Sequence, residues 1–189
     1  HQIQLEEDSS SGSSSGDSSS GDNSEKSSFD ASRYARFFEH PWLNQAARRF
    51  LFEERKIDWR VVKWCRLTSW TDKKGINWLQ IPYFDTDGRL IGIQNRNLDY
   101  KKEQDAPRFR FPYGARCSSY NLPVVKRRKP GERLFITEGC SGCWAMLTAG
   151  HKAIAIPSAT LLKPEDKQRL TDIGRLYQVE FHMFPDQDV

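Results

Sequence analysis

The sequence predicts an α+β subdomain rich in positive charge, followed by an α/β subdomain on a parallel sheet, behind a disordered segment. Three observations carry this. Twelve of the first thirty residues are serine, in runs such as Ser18-Ser19-Ser20-Gly21. A period-two stretch from Trp78 to Leu98 is broken at Asp85-Thr86-Asp87-Gly88. From Leu134 onward, short apolar runs alternate with helical patterns. A serine-rich stretch lacks the apolar surface that would offset its ordering entropy. Alternation around a turn reads as a hairpin, and β-α-β alternation as a parallel sheet.

The elements follow in order. Residues 1–30 read as a linker, and a segment upstream of it is expected. Asp30-Ala31-Ser32 starts a helix on which Tyr34, Phe37 and Phe38 share a face. A second helix runs from Trp42 to Lys56 with Leu43, Ala46, Ala47, Phe50 and Leu51 inward. A third, Asp58 to Cys65, turns Val61, Val62 and Cys65 inward. Trp78 to Tyr83 and Arg89 to Leu98 form the hairpin, and Pro107 to Pro112 is a further extended piece. Lys126-Arg127-Arg128-Lys129-Pro130-Gly131 marks a subdomain boundary, dividing the chain into 31–130 and 131–189. Leu134–Thr137, Ala153–Ile156 and Tyr177–Phe184 are then strands. Cys140–Ala149, closed by Gly150, and Pro164–Ile173, closed by Gly174, are helices. The chain stops after Pro185-Asp186-Gln187-Asp188, so a C-terminal continuation is expected.

Charge narrows the partners. Residues 1–30 hold seven acidic side chains and one lysine, a net of −6 in a chain of +4, which leaves +10 on residues 31–189. Such an excess suits a polyanion, although it also serves solubility. No apolar run reaches the length of a membrane helix and no signal peptide is visible, so the expected setting is cytoplasmic, with no membrane partner. The composition also excludes collagen, coiled coil and disulfide-dense scaffolds. Cys65, Cys117, Cys140 and Cys143 are then reduced thiols.

Ligands of an open α/β sheet bind at the carboxyl ends of its strands. Glu138-Gly139 follows the first such strand, and Asp186-Gln187-Asp188 the third. In Asp-x-Asp an extended chain puts both carboxylates on one side, where their repulsion is relieved by a divalent cation; hard oxygen donors suit Mg²⁺ or Mn²⁺. A facing glutamate could act as a base or a further ligand. Alone, Asp-x-Asp also fits a solvated turn; coupling to Glu-Gly at a neighbouring strand end strengthens the metal reading.

Leu134-Phe135-Ile136-Thr137-Glu138-Gly139, the helix after it and Phe184-Pro185-Asp186-Gln187-Asp188 resemble a TOPRIM domain, the module shared by bacterial-type primases, type IA and II topoisomerases and related nucleases. Ile81-Pro82-Tyr83-Phe84-Asp85-Thr86-Asp87-Gly88-Arg89-Leu90-Ile91-Gly92-Ile93-Gln94-Asn95-Arg96 is similar to the primase segment fPi-D-x-x-G-x-x-iGf-x-x-R. Pro107-Arg108-Phe109 sits where primases carry Pro-Lys-Tyr, and Ala155 to Thr160 sits where they carry a small-residue loop ending in Gly-Thr. The resemblance covers about residues 50–189, is best matched by primases of phages and mobile elements, and places the serine-rich linker where a zinc-binding domain would join the core. It implies RNA primer synthesis on a single-stranded DNA template from ribonucleoside triphosphates, with a replicative helicase as partner. By the same match, Glu138 is the acid/base or metal-cluster glutamate, Asp186 and Asp188 hold Mg²⁺ or Mn²⁺, and Arg96 and Arg108 line the basic groove that touches the template or the incoming nucleotide. Arg110 adds to that basic strip. Phe109, Phe111 and Tyr113 alternate with the arginines, either as a stacking strip for bases or as the core face of an amphipathic strand; the core face is the expectation taken here.

One departure matters. The family pattern is Glu-Gly-x-x-Asp, and Gly142 stands where the aspartate belongs. A degenerate TOPRIM module that only binds DNA is therefore the alternative. Topoisomerase chemistry would need a tyrosine nucleophile, and no tyrosine is placed for it. A further alternative is a thioredoxin-like protein using Cys140-Ser141-Gly142-Cys143 at a strand–helix junction. That reading leaves Glu138-Gly139 and Asp186-x-Asp188 unexplained. A zinc site lacks a second pair of ligands at suitable spacing.

Overall fold

The computed structural model describes residues 28–157, 162–177 and 179–184. Two sheets organise them. The first is antiparallel, in the order β1 (Thr68–Thr71), β2 (Asn77–Phe84), β3 (Leu90–Asn97), β4 (Phe109–Arg110). The second is parallel, in the order β6 (Lys152–Ile156), β5 (Leu134–Glu138), β7 (Phe181–Phe184). Its connections carry the helices α3 (Gly139–Thr148) and α4 (Pro164–Leu176). Ahead of the first sheet lie α1 (Gln45–Arg48) and α2 (Trp59–Trp64).

The expected first helix is two 3₁₀ turns, Ala31–Arg33 and Ala35–Phe38. The carboxylate of Asp30 accepts the Ser32 amide at 3.1 Å, and Phe29 stacks on Tyr34 with ring centroids 5.3 Å apart. These local bonds satisfy the segment without a full α-helix. The second helix is α1 followed by a π-turn over Arg49–Glu54, which brings both Phe50 and Leu51 into the core. It ends where Lys56 takes a positive φ of 54°. Asp58 caps α2 through the Arg60 amide, and Val61 and Val62 are buried as expected.

The hairpin forms in the expected place, with Pro82 opposite Ile93 and Gly88 supplying a positive φ of 82° in the turn. β2 is buried on both faces rather than one, because helices and loops cover its second side. β1 was not legible, being short and polar. Its hydroxyls hold the entry to α1: Thr68 Oγ1 accepts from the Trp42 amide at 3.0 Å and Ser69 Oγ from Asn44 at 2.7 Å. Gly92 is required in β3, since a Cβ there would sit 2.7 Å from the Arg116 carbonyl oxygen.

The parallel sheet matches its expected strands, with two shifts. α4 continues through Gly174 to Leu176, because Gly174 is a close-packing position: a Cβ would lie 3.2 Å from the Phe181 ring. β7 consequently starts at Phe181 rather than Tyr177, whose amide still bonds to Ile173 as part of the helix end. Asn121 ties α2 to β6, and Tyr120 joins the two sheets by packing on Tyr83 of β2 with ring centroids 5.0 Å apart. Asn121, at a φ of 66°, accepts from Trp64 Nε1 at 2.8 Å and donates to the Ala153 carbonyl at 2.8 Å. Tyr120 bridges Ala155 along the edge of β6, and its hydroxyl accepts from Trp144 Nε1 at 2.9 Å. Trp144 is fully buried, so one core runs continuously from α1 and α2 through the hairpin to α3. Among the described residues, no helix is long and apolar enough to cross a membrane.

Candidate nucleic-acid interface and strand-end site

Glu138 ends β5, and Gly139 opens α3 with a φ of 74°. A Cβ at Gly139 would meet nothing within 4 Å, so the glycine is needed for its conformation and not for space. The junction is fastened to the hairpin by its next residue. The Cys140 thiol donates to Gln94 Oε1 at 3.5 Å and lies 3.2 Å from the Tyr83 hydroxyl. Gln94 and Arg96 share one face of β3. The carboxyl edge of the parallel sheet and the basic side of the hairpin are thereby one neighbourhood, and the Arg96 and Cys140 side chains are close enough to interact electrostatically.

Arg96 stands between two rings, with its guanidinium carbon 4.7 Å from the Phe50 centroid and 5.7 Å from that of Phe109. Arg55 covers Phe50 at 5.3 Å and Arg108 covers Phe109 at 5.4 Å. The order Arg55, Phe50, Arg96, Phe109, Arg108 is an alternating ladder of cations and rings. Register produces it, since Arg96 lies directly opposite Phe109 in the β3–β4 pair. Burial, then repulsion from Arg55 and Arg108, pushes the Arg96 pKa down to about 10. Among the described residues, no carboxylate makes a salt bridge to any of the three arginines. Such a ladder presents donors and positive charge to an anion, with planar groups beside them.

The remaining predicted site residues are placed as follows. Arg110 leans on the Trp78 ring at 4.7 Å, opposite Asn95 in β4. Phe111 and Tyr113 are 53% and 78% exposed, which corrects the expected core face; a two-residue strand ends before it can bury them. Gly142 lies within α3 against Thr137, where a Cβ would sit 3.2 Å from the Thr137 Cβ. Asp186 and Asp188 lie outside the described residues. β7 ends at Phe184, paired with Thr137 beside Glu138. Among the described residues, no cluster of three metal-ligating side chains occurs.

The thiols contradict the redox alternative. Cys65, Cys140 and Cys143 are buried, and burial pushes the pKa values of Cys65, Cys117 and Cys140 up to about 12 and that of Cys143 well up. A redox-active first thiol needs exposure and a depressed pKa. Cys140 and Cys143 are packing residues, with the Cys143 thiol donating to the Ala153 carbonyl at 3.3 Å. Phe50, Arg55 and Gln94 were missed as site residues. Phe50 and Arg55 belong to a helix far from the hairpin in sequence, and only tertiary packing brings them to Arg96.

The chain is thus an antiparallel sheet and a parallel α/β sheet sharing one core, with a cationic face beside the strand-end junction. Solved structures to which this fold is similar include bacterial primase cores. The zinc-binding and RNA polymerase domains of the Aquifex aeolicus primase match at a TM-score of 0.60 and 16% identity, over 77% of this chain and 44% of that one. The RNA polymerase domain of Mycobacterium tuberculosis primase DnaG matches at 0.57 and 18%, over 84% of this chain and 64% of that one. The same domain in complex with a double-stranded DNA oligomer carrying a 6-nucleotide overhang matches at 0.56 and 17%, over 81% and 60%. At these identities the likeness is one of fold, and the chain spans only 44% to 64% of these three chains. No protein-family model and no curated protein sequence matches it.

Proposed function

We propose that this chain is part of a DNA primase catalytic core of TOPRIM type, which synthesises RNA primers on single-stranded DNA by metal-dependent nucleotidyl transfer. The observation that carries the reading is the junction of the arginine–aromatic ladder with Glu138-Gly139 through Cys140 and Gln94. The fold likeness to primase cores, one of them in complex with DNA, supports it. Residues 31–130 would supply the basic groove and 131–189 the TOPRIM part.

Arg55, Arg96 and Arg108 would hold template phosphates, with Phe111 and Tyr113 free to stack on bases. Glu138, Asp186 and Asp188 are a hard-oxygen donor set suited to Mg²⁺ or Mn²⁺. The pairing of Phe184 with Thr137 supports this reading, since Asp186 and Asp188 come next in the sequence after the strand beside β5. A divalent ion held there would supply charge neutralisation at the phosphate oxygens. Glu138 would be the group able to take the proton of an attacking primer hydroxyl. Ribonucleoside triphosphates are the substrates this reading requires, and a replicative helicase is the partner it expects.

A DNA-binding module without catalysis is the second reading, and Gly142 favours it. A Cβ at 142 would sit 3.2 Å from the Thr137 Cβ, so an aspartate there would require Thr137 to shift. Calorimetric titration of Mn²⁺, with Asp186→Asn/Asp188→Asn as control, separates the two. Binding that vanishes in the double variant supports the primase reading. No binding by either protein refutes a working metal site in this chain and leaves the binding module.

A further inference from the structure

The two ends of the chain differ sharply in charge. Residues 1–27 carry Glu6, Glu7, Asp8, Asp17, Asp22 and Glu25 against Lys26 alone. The remainder is strongly cationic, and its Arg55–Arg96–Arg108 ladder has no salt-bridge partner among the described residues, although Glu54 lies close enough to favour the Arg96 charge. The two regions are neighbours. The first described turn, Ala31–Arg33, packs against β3, the strand that carries Arg96.

We propose that the acidic serine-rich segment, residues 1–27, binds the arginine–aromatic ladder of its own chain and competes there with nucleic acid. The inference rests on the reading of that ladder as a nucleic-acid face. Its occupant is named by three arguments. The charges are complementary, six carboxylates against three guanidiniums that make no salt bridge among the described residues. The reach is sufficient, because a chain can extend up to about 3.3 Å per residue and residues 1–27 are long enough to pass a radius of gyration of about 15 Å for a domain of this size. The point of attachment lies on β3 itself, so a short tether of this kind holds the acids near the ladder at an effective concentration of about 1 mM. Low apolar content is no obstacle, since the ladder recognises carboxylates as it would recognise phosphates, by charge and planar donors.

The magnitude follows. A polyanionic segment with an intrinsic affinity near 0.1 mM, the weak end of non-specific polyanion binding, is about tenfold in excess of its dissociation constant when tethered at about 1 mM. It should therefore weaken DNA binding by about tenfold at low salt and have no effect at high salt, where both interactions are screened.

The test uses the full chain in two measurements. In the first, anisotropy of a labelled oligothymidylate compares the wild type with a variant carrying E6Q, E7Q, D8N, D17N, D22N and E25Q. About tenfold tighter binding by the variant at low salt, converging at high salt, supports the proposal. Equal affinities at low salt overturn it and leave the DNA-binding reading intact. In the second, a labelled peptide of residues 1–27 is titrated with the neutralised full chain, without DNA. Binding that is lost in Arg55→Gln/Arg108→Gln, exposed positions whose replacement leaves the core alone, supports it. No binding to the neutralised chain, or binding unchanged in that double variant, overturns it. Peptide binding without any oligonucleotide binding would sink the nucleic-acid reading of the ladder while the intrachain contact stands.

Discussion

Replacing Arg96 with methionine separates what this residue does for the fold from what it does for binding. Methionine keeps most of the side-chain volume and removes the charge. Burial and the neighbouring Arg55 and Arg108 hold the Arg96 pKa down at about 10, an opposition to charging of about 3 kcal/mol. Partial exposure screens this to about 1–2 kcal/mol. The Phe50 and Phe109 ring faces return about 0.5–1 kcal/mol each. The terms nearly cancel, so Arg96→Met should change unfolding free energy by less than about 1 kcal/mol. Its effect on nucleic acid should be larger. Loss of one charged contact should weaken oligothymidylate binding about tenfold at low salt and reduce the slope of log affinity against log salt by about 0.7. Urea unfolding and salt-dependent anisotropy read both. Destabilisation beyond about 3 kcal/mol with an unchanged salt slope would show Arg96 to be a core element and not a binding residue.

Three other outcomes follow from the same geometry. Gly142→Ala gains about 1 kcal/mol of helix propensity but crowds Thr137 at 3.2 Å, so urea unfolding should show a net loss of about 1–2 kcal/mol; Gly142→Asp should lose more, and adding Thr137→Ala should recover part. The buried thiols should resist a disulfide exchange reagent at pH 8 and all four should react once the chain is unfolded, whereas rapid native labelling of Cys140 would restore the redox reading. Burial raises the Asp72 pKa, but the Trp78 indole N–H and the Ile76 and Lys74 amides outweigh it and hold the carboxyl below its ordinary value. A depressed carboxyl contributes stability above its unfolded pKa and loses it as pH falls through the folded one. Acid titration of stability should therefore be flatter below about pH 4 in Asp72→Asn; an identical acid limb would refute the assignment.

The parts of the fold legible in the sequence were those written in local pattern. Asp85-Thr86-Asp87-Gly88 fixed the hairpin turn, and Leu134–Thr137 and Ala153–Ile156 read as buried strands because both faces are apolar. What escaped was set by tertiary contact. Thr68 and Ser69 form a strand because they pair with Gln80 and Leu79 of β2 while their hydroxyls accept from the Trp42 and Asn44 amides, and nothing in their own neighbourhood alternates. Gly174 looks like a helix stop but is a contact point for Phe181. Arg96 was singled out by the resemblance to the primase segment, whereas Glu138 stood out at a strand end and Arg108 in the strip of alternating arginines and rings. Their partners Phe50, Arg55 and Gln94 did not, since a ladder drawn from a helix and two strands leaves no linear spacing. Phe111 and Tyr113 were assigned to a core that the two-residue length of β4 cannot provide.

The most direct measurement is primer synthesis by this chain on a single-stranded DNA template, with labelled ribonucleoside triphosphates and Mg²⁺ or Mn²⁺, alongside Glu138→Gln and Arg96→Met. The account predicts short RNA products from the wild type, none from Glu138→Gln, and fewer from Arg96→Met at low template concentration with recovery at high. Products formed equally by Glu138→Gln would contradict the placement of chemistry at the β5–α3 junction. No products from a wild-type chain that binds the template would contradict catalysis and leave a DNA-binding module.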